Sequence, residues 1–183
     1  MLKPKAGILL ISAPECNDSI FFKSVILITH HNEQESIGLI LNQPTKIYLS
    51  HIFKNISLDF KIYLGGPVDR QSLYFLHNQG DLIPNSIKIT KNIYFGGEFN
   101  TVIRLINNKK LNNHNIKFFL GYSGWGIKQL DVEIDNKSWI LEGNYDDRIC
   151  FKKSTSKIWG DLIKLQESKI AMWTNMPKDP SLN

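Results

Sequence analysis

Gly121-Tyr122-Ser123-Gly124-Trp125-Gly126-Ile127-Lys128-Gln129-Leu130 sets three glycines and a tryptophan where an apolar strand, Ile116 to Tyr122, hands over to a helical pattern. Glycine reaches positive φ without strain and lets other groups approach the backbone closely, so Gly121, Gly124 and Gly126 read as a tight structural turn packed under Trp125. A helix starting near Gly126 and carried by Ile127, Leu130 and Ile134 would leave free N–H groups beside Lys128, able to hold an anion. The spacing is neither GxGxxG nor GxxxxGK[ST], so no nucleotide motif is assigned.

Before this stretch the chain reads mainly as short strands. Gly7 to Ser12, Ser24 to Thr29 and Ile37 to Leu41 are apolar runs bounded by turn residues. The polar segment His31 to Glu35 joins the last two as a hairpin. Leu49 to Asn55 is read as a short helix; Lys61 to Leu64 and Leu73 to His77 are strands separated by the turn Gly65-Gly66-Pro67. After Gly97, the residues Phe99, Val102, Ile103 and Ile106 fall at i, i+3, i+4 and i+7, predicting a helix that buries this face. Asn107 to Asn115 is read as an exposed loop. Trp139 to Leu141 is extended, and a last helix is expected from Ser154, with Ile158, Trp159, Leu162 and Ile163 inward, ending before Met176 to Asn183. Strands that are numerous and often sequential favour an α+β fold with a mixed, largely antiparallel sheet.

The 183 residues suffice for one domain spanning 1–183. No run approaches the ~18 apolar residues of a membrane span and no secretory leader is read, so a cytoplasmic protein without membrane attachment is expected. The net charge of +5 raises nucleic-acid binding as a possibility. However, only three of the 22 basic residues are arginines, Arg70, Arg104 and Arg148, and the basic residues are scattered. Cys16 and Cys150 are far apart and outside any CxxC pattern, which predicts two thiols and neither a disulfide framework nor zinc.

Chemistry-bearing residues do not converge in the sequence. Ser123 lacks the glycine two places on that a nucleophile elbow requires, since Trp125 stands there. His30 and His31 point to opposite faces of a strand, and with His51, His77 and His114 they form no metal-ligand spacing. His77 reads as a hydrogen-bonded structural histidine. Asp131, Glu133 and Asp135 diverge on a helix. No catalytic residue, metal or cofactor is therefore assigned.

Several motifs in order, Gly7-Ile8-Leu9-Leu10-Ile11-Ser12-Ala13-Pro14, Gly38-Leu39-Ile40-Leu41-Asn42-Gln43-Pro44, Gly65-Gly66-Pro67-Val68, Phe75-Leu76-His77 and Gly121 to Gly126 with Gln129-Leu130, closely resemble the YqgE/AlgH family of bacterial proteins. The resemblance implies a bifurcated, barrel-like sheet flanked by helices and a family without an established enzymatic activity, some of whose members are labelled regulators of transcription. Two departures stand out: Cys16 replaces an apolar residue, and Ile127-Lys128 replaces a common Pro-Gly. The matching residues Asn42, Pro44, Gly65, Gly66, Pro67, His77, Gly121, Tyr122, Gly124, Trp125 and Gln129 form the candidate binding surface. The leading expectation is a nonenzymatic regulatory protein that presents this surface to a protein partner or small ligand. A site for a phosphorylated or anionic molecule at the Gly121–Gly126 turn is second, and direct nucleic-acid binding third.

Overall fold

The computed structural model describes residues 2–16, 18–153 and 155–174. Ser154, expected as a helix cap, and the tail Met176 to Asn183 lie outside the described residues. Among the described residues there are ten strands: β1 Leu9–Ser12, β2 Val25–His31, β3 Ser36–Ile40, β4 Pro44–Tyr48, β5 Lys61–Leu64, β6 Val68–His77, β7 Ile87–Lys88, β8 Tyr94–Phe95, β9 Ile116–Trp125 and β10 Trp139–Glu142. The helices are α1 Phe99–Asn107, α2 Gln129–Asp135 and α3 Ile158–Thr174, with short 3-10 turns at Leu49–His51 and Asp147–Phe151.

The strand order is β10-β1-β2-β3-β9-β6-β8-β7, with antiparallel neighbours throughout; β4 and β5 attach through parallel pairing of β5 with β9. Three cores explain why the strands are apolar on both faces. Leu9, Leu27, Leu39, Tyr63, Leu76 and Phe119 line the concave face of the curled sheet, closed by Ile158, Leu162 and Ile163 of α3 and by Ile149, Cys150 and Phe151. On the outer face, Leu10, Ile26 and Ile40 pack under Leu130 of α2. Farther along that face, Ile62, Phe75, Ile116 and Phe118 pack under Val102, Leu105 and Ile106 of α1. Alternate residues of each strand thus enter different cores, as the two-residue period of a pleated strand requires.

The largest departure from the sequence reading is in β9. The chain does not turn at Gly121 but continues as strand through Trp125, and α2 begins only at Gln129. One edge of β9 changes partner on the way: Phe118 to Leu120 pair with β5, whereas Ser123 to Trp125 pair with β3. The sheet forks there. A glycine in the left-handed region, Gly121 at φ 67°, also changes the face that β9 presents. Phe119 lies in the concave core, while Trp125, an even number of residues later, lies in the outer one. β4, β7 and β8 were not read from the sequence, and the expected helix after Leu49 is a single 3-10 turn. In α1 the buried stripe is Thr101, Val102, Leu105 and Ile106, rotated from the predicted one so that Phe99 and Ile103 lie at its margin. The expected exposed loop after Asn107 buries Leu111 completely.

Candidate functional site

The fork is built from close backbone approaches that exclude side chains. A Cβ on Gly65 would stand 2.0 Å from Gly121 O, one on Gly66 2.2 Å from Tyr122 C, and one on Gly121 2.6 Å from Val68 O. Ser123 completes the lock: its fully buried Oγ donates to Gly65 O at 3.1 Å. That hydroxyl serves the backbone of β5's exit and faces no solvent.

Beside the fork, β6 bulges. Val68 pairs with Tyr122 and Leu73 with Leu120, so five steps along β6 stand against two along β9. The surplus residues, Asp69 to Gln71, are exposed. Asp69 takes a positive φ of 48°, and its carboxylate accepts a hydrogen bond from Tyr74 Oη at 2.8 Å. Hydrogen bonds from Ser72 and Tyr74 hold the Asp69 carboxyl below the usual carboxylate range. Tyr122 meets Tyr74 edge to face, with ring centroids 5.7 Å apart, and Val68, Pro67 and Gly124 are exposed around them. Bulges of this kind re-aim side chains away from a sheet and recur near functional surfaces.

The sequence-selected residues divide by burial. Pro44, Pro67 and Gly124 are exposed and Tyr122 half-buried, whereas Gly65, Gly66, His77, Gly121 and Trp125 are buried. Asn42 bridges strands: its Oδ1 accepts from Val25 N at 2.9 Å and its Nδ2 donates to Lys23 O at 2.8 Å. His77 sits at the far end of β6 from Val68 and is fully buried. Its Nδ1 accepts from Gln79 N, which places the neutral ring's proton on Nε2, facing Gly96 O and Ser86 Oγ, each at 3.0 Å. Burial lowers the His77 pKa from the ordinary histidine value, opposed by the Gly96 bond.

Trp125 and Gln129 converge on Glu133, one of the three carboxylates that diverge along α2. Glu133 Oε2 accepts from Trp125 Nε1 at 2.8 Å and from Trp139 Nε1 at 2.7 Å, while Oε1 accepts from Gln129 Nε2 at 2.9 Å. Phe21 completes the aromatic cluster against both indoles. At the expected anion turn, Gly126 N already donates to Gln129 Oε1, and Lys128 is itself left-handed at φ 55°.

Lys117 is the residue that periodicity concealed. Within the apolar run Ile116 to Leu120 it faces the concave side and is 4% exposed. Its Nζ donates to Leu41 O at 2.8 Å and Lys152 O at 3.1 Å, and lies 3.8 Å from the centroid of the Tyr63 ring. Burial brings Lys117 down to about 7 and pushes the neighbouring Cys150 thiol up to about 12. The described residues contain no cluster of three or more metal-ligating side chains, and no helix among them is long and apolar enough to cross a membrane.

A curled half-barrel that forks at a glycine-locked strand, with one helix outside each wing and a third across its concave face, defines a mixed α and β architecture with antiparallel pairing dominant. The chain belongs to the AlgH-like family, whose model matches residues 9–171. It is 39% identical over 183 residues to a UPF0301 protein of Parabacteroides distasonis, covering 98% of this chain and 92% of that one. A UPF0301 protein of Cytophaga hutchinsonii is 34% identical over 179 residues, with 97% and 98% covered. The solution structure of the AlgH protein from Pseudomonas aeruginosa superposes with a TM-score of 0.71 at 21% identity, covering 98% of this chain and 100% of that one. A crystal structure of a Corynebacterium diphtheriae protein gives 0.76 at 22% identity, with 90% and 88% covered. These two likenesses concern the fold.

Proposed function

We propose that this chain is a nonenzymatic, cytoplasmic regulatory protein that acts by binding another protein through the forked end of its sheet. The contact face comprises Pro67, Val68, Arg70, Tyr74, Tyr122 and Gly124. Gly65, Gly66 and Gly121 shape it from behind, and Asn42, Pro44, Trp125 and Gln129 belong to the same candidate set. The observation that carries this reading is the β6 bulge, which lifts exposed apolar and charged side chains off the sheet beside two tyrosines while Asp69 is pinned in a strained conformation. Aromatic and arginine residues on a pre-organised surface are the usual energetic anchors of protein interfaces. Ser123 and His77, the groups that resemble catalytic ones, are spent on internal hydrogen bonds. A regulatory role in transcription would then run through a protein contact, because Arg70 is the only arginine on this face.

The test is an affinity capture with wild type beside a Val68→Ser, Tyr122→Ala variant of matched melting temperature. Loss of one prey from the variant supports the reading, and identical prey sets overturn it. Gel retardation of DNA that weakens steeply with added salt would favour direct nucleic-acid binding instead.

A further inference from the structure

A cavity of about 290 Å3 opens beside the concave core, lined by Tyr48, Asp59, Lys61, Lys117, Lys152 and Lys153 among others. It lies away from the β6 bulge, and nothing in the proposed interaction face uses it. Four lysines meet there against one carboxylate. That carboxylate is already committed, since Asp59 accepts from Ser50 N, Ser50 Oγ and Phe60 N. Among the described residues the ion pairs within 4.0 Å are His30 with Glu35 and Arg148 with Asp146, so Lys117 is buried without a carboxylate counter-ion.

We propose that this cavity is a binding site for a small anionic metabolite bearing a phosphate or carboxylate group, with Lys117 as its buried floor and Lys61, Lys152 and Lys153 as its rim. Two backbone carbonyls and the Tyr63 ring hold the Lys117 amine in place, which supplies positive charge from below in a medium of low dielectric, where an ion's field is least screened. An anion seated above it provides the missing counter-charge and draws a proton onto an amine that burial has brought down to about 7. The volume sits near the lower end for small-ligand sites, roughly 300 Å3, which suits a compact metabolite better than a protein segment. Tyr63 of β5 and Phe151 of the 3-10 turn line the cavity and also belong to the concave core, so ligand and core share these residues.

The test is titration of the full chain with sulfate, inorganic phosphate and acetate in separate arms, at constant ionic strength set with chloride, followed by backbone amide NMR. Saturable shifts confined to Lys61, Ile116 to Phe118, Lys152 and Lys153 are expected. The rim variant Lys152→Gln, Lys153→Gln changes only exposed side chains and should weaken binding about tenfold or more. Preference for sulfate and phosphate over acetate would assign a phosphorylated ligand, and the reverse a carboxylate. Linear shifts spread over lysines elsewhere, or affinity unchanged in the rim variant, would overturn the site.

Discussion

Gly121 and Gly124 are of the same residue type, sit three positions apart in one strand, and do different work. Gly121 holds φ at 67° with its missing Cβ aimed at Val68 O, 2.6 Å away. Alanine there meets both left-handed backbone strain and a rigid carbonyl, so Gly121→Ala should lower unfolding free energy by about 2–4 kcal/mol. Gly124 is exposed, and a Cβ added there would meet Tyr122 Cε2 first, at 3.2 Å, on a ring with room to shift. Gly124→Ala should therefore stay within about 0.5 kcal/mol of wild type. Urea denaturation of both variants checks the contrast, and equal losses would show that the fork does not depend on Gly121. Such a pair separates a glycine required by the backbone from one the backbone does not require, which sequence alone presents as equivalent.

Among the elements, α2 shows how a short helix is held. Of its seven residues only Leu130 is fully buried, with Ile134 partly buried against the same cluster, little apolar surface to fix it. The Glu133 carboxylate supplies the remaining attachment by accepting from the indoles of β9 and β10 and from Gln129. Glu133→Ala would leave two indole N–H groups of nearly buried tryptophans unpaired, a loss of about 2–4 kcal/mol, whereas Glu133→Gln retains one acceptor oxygen and should recover part of it. Chemical denaturation with tryptophan fluorescence reads both, and an alanine variant as stable as wild type would mean that α2 is held by Leu130 after all. What was legible in the sequence follows the same physics. The β2–β3 hairpin and α1 could be read because their apolar periodicity is local and uninterrupted. β9 is not legible past Tyr122, because glycine and serine punctuate turns locally while the pairing that keeps them extended comes from β3 and β6, distant in sequence. Pro67, Tyr122 and Gly124 are legible as candidates through their match to the motifs of the resembled family. The bulge that exposes them is not, since it is set by the register between β6 and β9. Lys117 escaped notice because a lone lysine in an apolar run carries no sign of whether its amine reaches water.

The stability of the assembled fold inherits a pH profile from its concave core. Lys117 binds its proton with a pKa near 7 when folded, against a reference value of 10.5, so between these values the unfolded chain holds more protons than the folded one. Stability therefore rises with pH across that window, with a slope of up to about 1.4 kcal/mol per unit where only this group titrates; below pH 7 both states are protonated and the slope from this group vanishes. Cys150 acts in the opposite sense. Its thiol is pushed from 9.0 up to about 12, so above pH 9 the unfolded chain loses a proton that the folded one keeps, and stability falls. Tyr145, also raised by burial, adds to that fall once the pH exceeds 10. The opposing slopes nearly cancel above pH 9 and predict maximal stability between about pH 9 and 10, above the usual range of about 5–8. Urea unfolding between pH 6 and 10.5 should trace this rise and fall. Cys150→Ala should extend the rise toward pH 10, and Lys117→Met should abolish the part between pH 7 and 9. A wild-type profile flat over that interval would mean that the Lys117 amine keeps its proton in the fold, held by Leu41 O, Lys152 O and the Tyr63 ring strongly enough to offset its burial.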